Sequence, residues 1–577
     1  MHPESPTPIP PSSPWALAAR PRGPGRIAGL TATLASGGLL AAASGPPAAP
    51  APLSFTHSPS PFVLENSETP HLYAPETMAG GLAVFDHDGD GDLDLFFANG
   101  AELPGLRKSS PKYWNRLYAN DGQGGFSDAT ESAGLAGTGY DIGAAVGDYD
   151  GDGHPDLFVA GVHRNTLYRN RGDGTFTDVT AAAGLGAPDP EHGPLWSVAG
   201  TWFDFDADGD LDLFVVNYLS WGPGKDPVCD ESGRRDYCHP RFYRGQPNRL
   251  FRNDGDGTFT DVSIPSGIRE HVGKGMGACA ADFDQDGLPD LFVTNDKLPN
   301  FLFMNLGGGR FREIAFEAAV ALPEHGRDVS GMGLDCRDVD NDGLPDVFFV
   351  ALDQETFPLF RNKGDGSFEE ITYRSGLTRL TREMAGYGAG IHDFDNDGWK
   401  DIFVTRGHVQ SPAASDRVVV DQHNTVFRNL GDARMAALTE EAGLATAPAR
   451  RHRGAGFGDL DGDGRLDVVA SALGAPAEIW LNRSTPGHHW LALRLVGRRS
   501  NRDAVGARVK VVTRGGAQYD HVSTSSGYAS SSAGPLHFGL GADEVAQVSI
   551  RWPSGLVQEL KDVRADRTLQ VEEPALP

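Results

Sequence analysis

The stretch "DHDGDGDLDLFF", Asp86 to Phe97, places five carboxylates in nine residues and follows them at once with an apolar run. It returns as "DYDGDGHPDLFV" from Asp148, "DFDADGDLDLFV" from Asp204, "DFDQDGLPDLFV" from Asp282, "DVDNDGLPDVFF" from Asp338, "DFDNDGWKDIFV" from Asp393 and "DLDGDGRLDVVA" from Asp459. The starts lie 62, 56, 78, 56, 55 and 66 residues apart. Self-similarity at such a period indicates a repeat architecture, even though 577 residues could hold several unrelated domains.

One period shows how a repeat is built. Around the second motif, "DIGAAVGD", "PDLFVAG", "NTLYRN" and "TFTDVT" read as strands, with "RGDG" as a hairpin turn between the last two. Four strands per period make one propeller blade. The segments ahead of the motifs, such as "GGLAVFD", "GMGACAAD" and "GYGAGIHD", are crowded with Gly and Ala, as innermost strands converging on an axis require. The expectation is an all-β chain: a seven-bladed β-propeller over residues 53–484, with an insertion at about 218–245, followed by a small β-sandwich over 487–573.

The motif has a chemical reading. In D-x-D-x-D-G-x-x-D, side chains at positions one, three, five and nine can fold around one centre, and Gly at position six permits a sharp turn. Calcium takes six to eight oxygens, which these side chains and a position-seven carbonyl can supply. The candidate ligands are Asp86, Asp88, Asp90 and Asp94; Asp148, Asp150, Asp152 and Asp156; Asp204, Asp206, Asp208 and Asp212; Asp282, Asp284, Asp286 and Asp290. The last three loops add Asp338, Asp340, Asp342 and Asp346; Asp393, Asp395, Asp397 and Asp401; and Asp459, Asp461, Asp463 and Asp467. About seven calcium ions per chain are expected. An EF-hand needs a Glu at position twelve, where this chain has Phe97, Val159, Val215, Val293, Phe349, Val404 and Ala470. Magnesium favours fewer protein ligands.

The formal charge of −28 sits largely in these loops and argues against nucleic acid, which calls for a basic surface. No G-x-S-x-G, H-E-x-x-H or P-loop signature appears, and carboxylates committed to calcium are poor proton carriers.

The motifs resemble the FG-GAP or VCBS repeats of integrin α-subunit propellers, and "NRLFRNDGDGTFTDVS" from Asn248 is typical of bacterial relatives. The tail "NRDAVGARVKVVTRGGAQYDHVSTSSGYASSSAGPLHFGLG" with "VSIRWPSG" resembles the ASPIC/UnbV domain that follows such propellers in the cartilage acidic protein family. The resemblance covers roughly residues 53–573. It implies a secreted calcium-binding protein of adhesive or matrix type, with an extracellular protein or glycan partner and no reaction. The alternative is a secreted carbohydrate-active lyase or hydrolase using a propeller-face cleft, with Trp221 and Tyr243 of the insertion as sugar-stacking aromatics.

The N-terminus reads as an export signal: Arg20, Arg22 and Arg26 precede a weakly apolar run ending in small residues near Ala43, so residues 1–45 form a cleaved or disordered leader. No later apolar run is long enough to span a bilayer. Cys229 and Cys238 bracket a segment that a disulfide would close, whereas Cys279 and Cys336, in inner strands, read as buried small hydrophobes. Arg171-Gly172-Asp173 occupies a slot that reads "DGDG" and "KGDG" in other repeats, so it is a hairpin turn. In the tail, His488 and His489 mark the start of a strand, and Trp552 packs on a core.

The ring must also close. After the seventh motif the chain offers only two more strands before the tail. Leu53, Phe55 and His57 alternate with Ser54 and Thr56, and Phe55-Thr56 echoes Phe176-Thr177 and Phe259-Thr260. Residues 53–57 are therefore expected to supply the outermost strand of the seventh blade.

Overall fold

The computed structural model describes residues 53–231, 233–411, 418–485 and 487–575, so the expected leader lies outside the described residues. Each aspartate motif joins the first and second strands of its own antiparallel four-stranded unit. In the first unit these strands are Leu82–Phe85, Asp94–Phe97, Arg116–Asn120 and Phe126–Asp128. Its innermost strand is followed by Asp141–Gly147, Ser197–Phe203, Gly275–Ala281, Leu334–Arg337, Gly386–His392 and His452–Gly458 in the other six. Each inner strand packs beside the next, and His452–Gly458 lies back against Leu82–Phe85. The chain is all-β, and this arrangement is consistent with a propeller.

The small residues of the inner strands are there because backbones meet. A Cβ on Gly143 would lie 2.2 Å from the Val198 carbonyl oxygen, and one on Gly333 the same distance from that of Tyr387. Neither approach leaves room for a side chain.

The seventh unit takes its fourth strand from the other end of the chain, as expected. Phe55–Val63 runs antiparallel to Pro476–Asn482, with Phe55 opposite Asn482 and His57 opposite Trp480. The strand is longer than expected because Pro59 and Pro61 sit on an outer edge, where a missing N–H costs no ladder bond. Its two halves bury different faces: Phe55 meets Phe394 and Phe403 edge-on, while Phe62 stacks on Phe97 of the first unit at 4.3 Å.

The tail forms two sheets. One holds Leu536–Gly541, His489–Val496 and Arg567–Glu572; the other holds Ala517–His521, Arg508–Val512, Val545–Arg551 and Val557–Arg564. They share a core of Leu491, Val509, Phe538, Val548, Ile550 and Trp552. Trp552 is 1% exposed, its indole N–H donating to Gln558, and His489 opens a strand with its Nδ1 2.7 Å from Asp566.

The stretch around Tyr528 does not stay in this sandwich. Its hairpin, Ser525–Ser526 and Ser530–Ser532, enters the middle of the repeat array, where Ala83 and Val84 pair in parallel with Ser531 and Ser532. The hairpin touches all seven inner strands. Serine hydroxyls satisfy backbone there: Ser531 Oγ accepts from the Val146 N–H, and the Tyr528 hydroxyl donates to the Met78 carbonyl at 2.6 Å. The described residues from 53 onward accordingly form one compact unit.

Both cysteine pairs are bridged. Cys229–Cys238 closes the insertion as read from sequence. Cys279–Cys336 corrects the reading of two separate buried thiols: they lie on the inner strands of adjacent units, with Cα atoms 6.2 Å apart, within disulfide reach.

Candidate metal centre

The seven loops share one construction. Gly91, Gly153, Gly209, Gly287, Gly343, Gly398 and Gly464, at position six, all have φ between 82° and 100°. The position-one carboxylate accepts the position-six N–H in each, as from Gly153 to Asp148 at 2.7 Å. A Cβ at Gly287 would find only the tip of Arg551, 3.5 Å away, so space is available and the backbone alone demands glycine. If the loop holds a calcium ion, Gly287→Val, placing a β-branched residue at positive φ, should remove about one calcium per chain, as Asp284→Ala should. Full metal stoichiometry in Gly287→Val would show that the turn does not build the site.

Position nine is the buried anchor. Asp94, Asp156, Asp212, Asp290, Asp346, Asp401 and Asp467 are each at most 1% exposed. In every loop one oxygen accepts the position-two N–H and the other accepts the N–H of an asparagine ending the third strand. Carboxylate oxygens of positions one, three and nine lie within 4.8 Å of one another in the second, third and fourth loops: Asp148, Asp150 and Asp156; Asp204, Asp206 and Asp212; Asp282, Asp284 and Asp290. In the first loop Asp86, Asp88 and Asp90 converge, and so do His87, Asp88 and Asp94. In all seven loops position five accepts the position-seven N–H, as Asp152 does from His154.

Two observations test whether a cation fits. The first is a set of buried oxygens with no hydrogen-bond partner: Oδ1 of Asp150, Asp206, Asp340, Asp395 and Asp461 at position three, and Oδ1 of Asp282 at position one. In four of these loops an arginine holds the other oxygen of position three, as Arg169 holds Asp150 Oδ2 at 2.6 Å. That contact leaves Oδ1 unpaired, and a buried anionic oxygen without a partner is costly. The second is charge. Burial, reinforced by Asp150 and Asp148, pushes Asp156 up to about 9, and burial with Asp284 and Asp282 pushes Asp290 up to about 8. Asp212, Asp346, Asp401 and Asp467 are also pushed well up, burial again first. Such a cluster calls for a positive counter-charge, and an all-oxygen donor set suits a hard divalent cation.

Sequence reasoning missed the asparagines. Asn120, Asn170, Asn253, Asn305, Asn362, Asn429 and Asn482 each donate through Nδ2 to the position-eight carbonyl of their own loop and to the position-two carbonyl of the preceding one. Asn170 reaches His87, Asn253 reaches Tyr149, and Asn120 reaches Leu460 of the last loop, which completes the cycle. The signal was present as an Asn ending "LYAN", "LYRN", "LFRN", "LFMN", "VFRN" and "IWLN". Asn253→Ala leaves the Tyr149 and Leu211 carbonyls buried without these donors, which should lower stability by about 2–4 kcal/mol. A denaturant midpoint unchanged at constant m-value would contradict that role.

The sandwich seats on the loop face. Arg508 Nη1 lies 3.3 Å from Asp282 Oδ2, Lys400 Nζ donates to the Tyr519 carbonyl at 2.7 Å, and His537 Nε2 lies 2.7 Å from Asn396 Oδ1. Elsewhere, the Arg171-Gly172-Asp173 tripeptide is the expected hairpin turn, with the Arg171 N–H donating to the Thr175 carbonyl and Asp173 accepting from Thr175. Trp221 and Tyr243 are only 7% and 9% exposed, and the Tyr243 hydroxyl bonds Asp226, so neither offers a free face.

The family model for the FG-GAP-like repeat matches residues 86–159, 148–215, 232–293, 282–349 and 338–404, and that for ASPIC and UnbV matches 497–576. The chain is 26% identical over 508 residues to cartilage acidic protein 1 of Xenopus tropicalis, covering 84% of this chain and 71% of the relative. It is also 26% identical over 501 residues to the Homo sapiens protein of that name, covering 83% and 70%. A shorter similarity, 28% over 158 residues, joins it to integrin alpha-4 of Xenopus laevis, covering 22% of this chain and 14% of the integrin. The chain belongs to the FG-GAP-like repeat family and carries an ASPIC and UnbV domain at its C-terminal end.

Proposed function

We propose that the seven units close as a seven-bladed propeller whose aspartate loops hold about seven calcium ions, and that the protein is a secreted binding or matrix-interaction module without catalysis. The observation that carries this is the repeated buried Oδ1 without a partner, facing carboxylates already held by backbone N–H groups. Bound calcium would neutralise each cluster and tie position one to positions three and nine. This chain's own residues set the geometry: position-six glycine turns the loop, and the asparagines fix position nine while linking each unit to its predecessor.

The extracellular setting is supported by the relatives, named for cartilage, and by all four cysteines being paired. Among the described residues no helix is long and apolar enough to cross a membrane. The lyase or hydrolase alternative loses its two stacking aromatics to burial.

The test is a panel of matrix proteins, polysaccharides and esters presented to the folded chain. The expected result is binding to a matrix or cell-surface component that requires calcium, with no turnover. Reproducible turnover abolished by a point change outside the aspartate loops would contradict the reading.

A further inference from the structure

At the ends of the strands away from the aspartate loops, the first and second units enclose an open groove of about 390 Å³. Its walls include Trp114, which precedes the third strand of the first unit, and Tyr168 and Asp178 on the last two strands of the second. Glu131, Gly137 and Thr138 come from the connection between the units. The volume lies at the small end of the range for small-molecule sites and suits one or two sugar rings.

Three groups line this groove with chemistry a ligand could use. Tyr168 is 7% exposed, yet its hydroxyl makes no hydrogen bond among the described residues. The ring is nearly buried while the hydroxyl reaches solvent in the groove, where it is available to a ligand. Glu131 is exposed and its carboxylate forms no ion pair among the described residues. Trp114 is half-buried, and the Arg116 guanidinium lies 5.5 Å from its ring centroid. Arg116 is itself held by Asp128 at 3.2 Å and the Pro111 carbonyl at 2.7 Å, so the indole is braced.

The repeats supply an internal control. Aligned on the strand-ending asparagines, the next unit boundary has Arg164 for Trp114, Ala181 for Glu131 and Phe251 for Tyr168. An aromatic ring stands at the Tyr168 position in every unit, with a tyrosine also at Tyr118, so what is particular to this boundary is the combination of a tyrosine hydroxyl with Trp114 and Glu131.

We infer that this groove is a carbohydrate-binding site for a neutral or amino hexopyranose, with the Trp114 indole stacking on the apolar face of the ring. The Tyr168 hydroxyl and the Glu131 carboxylate hydrogen-bond its hydroxyl or amino groups. The Glu131 carboxylate in the lining, which has no ion pair among the described residues, disfavours uronic and sialic acids. The site lies apart from the metal loops, and failure of the calcium reading would leave it standing.

The test titrates the folded full chain with methyl hexopyranosides, amino sugars and short neutral or uronate-containing oligosaccharides, read by ligand-observed NMR and calorimetry. At least one neutral or amino sugar should bind in the millimolar range or tighter, and uronates at least tenfold more weakly. Trp114→Ala should weaken binding at least tenfold, and Tyr168→Phe and Glu131→Gln each several-fold. Glu131 is exposed, so its variant separates loss of binding from loss of fold. Absence of binding by every neutral and amino sugar, or equal affinity in Trp114→Ala, would overturn the site.

Discussion

Removing calcium should destabilise this protein more than any single substitution. If ambient calcium stands about a hundredfold above each dissociation constant, linkage adds about 2.7 kcal/mol per occupied site. Several sites together then exceed the whole stability of an ordinary domain, about 5–15 kcal/mol. The structure explains why the ion-free state is poor. Position-nine carboxylates are fully buried, five position-three oxygens lack partners, and burial, reinforced by neighbouring aspartates, raises Asp148, Asp204 and Asp338 to about 7. The tail should loosen too, because Arg508, Lys400 and His537 seat it on the fourth to sixth loops. A calorimetric scan in excess chelator should show a much lower and broader transition, restored by returned calcium. An unchanged melting temperature would count against the loops as metal sites.

The second large effect concerns the closing strand. Deleting residues 53–63 removes Leu53, Phe55 and Phe62, all at most 3% exposed, and bares Pro476–Asn482 as a sheet edge. At about 1.5–3 kcal/mol for each buried side chain, with the strand's hydrogen bonds in addition, the loss approaches the stability of a domain. Phe55→Ala alone should cost about 3–5 kcal/mol, because its ring lies between Phe394 and Phe403. The truncated chain should aggregate or melt far below the parent. Melting like the parent would mean that the two ends of the chain do not hold the array together.

These features differed in how plainly the sequence announced them. The loops were legible because aspartate recurs at positions one, three, five and nine and glycine at the sixth, the pattern a calcium loop would require. The closing strand was legible from the alternation of Leu53, Phe55 and His57, although Pro59 and Pro61 concealed its full length. The central hairpin was not. "STSSGYASSSAG" has the small polar composition of a turn, and only the crowded inner strands show why such residues fill that space: their hydroxyls bond backbone at close approach. The Cys279–Cys336 bridge was hidden for a related reason. Each cysteine has an ordinary buried environment, and its partner lies 57 residues away, about one repeat, on the adjacent inner strand. The asparagine cycle was written in the sequence seven times, but its partners belong to neighbouring units, so no single repeat displays its purpose.

Native mass spectrometry of the folded chain, with elemental analysis alongside, tests the central claim most directly. After equilibration in millimolar calcium and removal of free metal, the account predicts close to seven calcium ions per chain, falling by about one in Gly287→Val and in Asp284→Ala. A folded chain that carries no calcium, or whose count is unchanged by both substitutions, would contradict it.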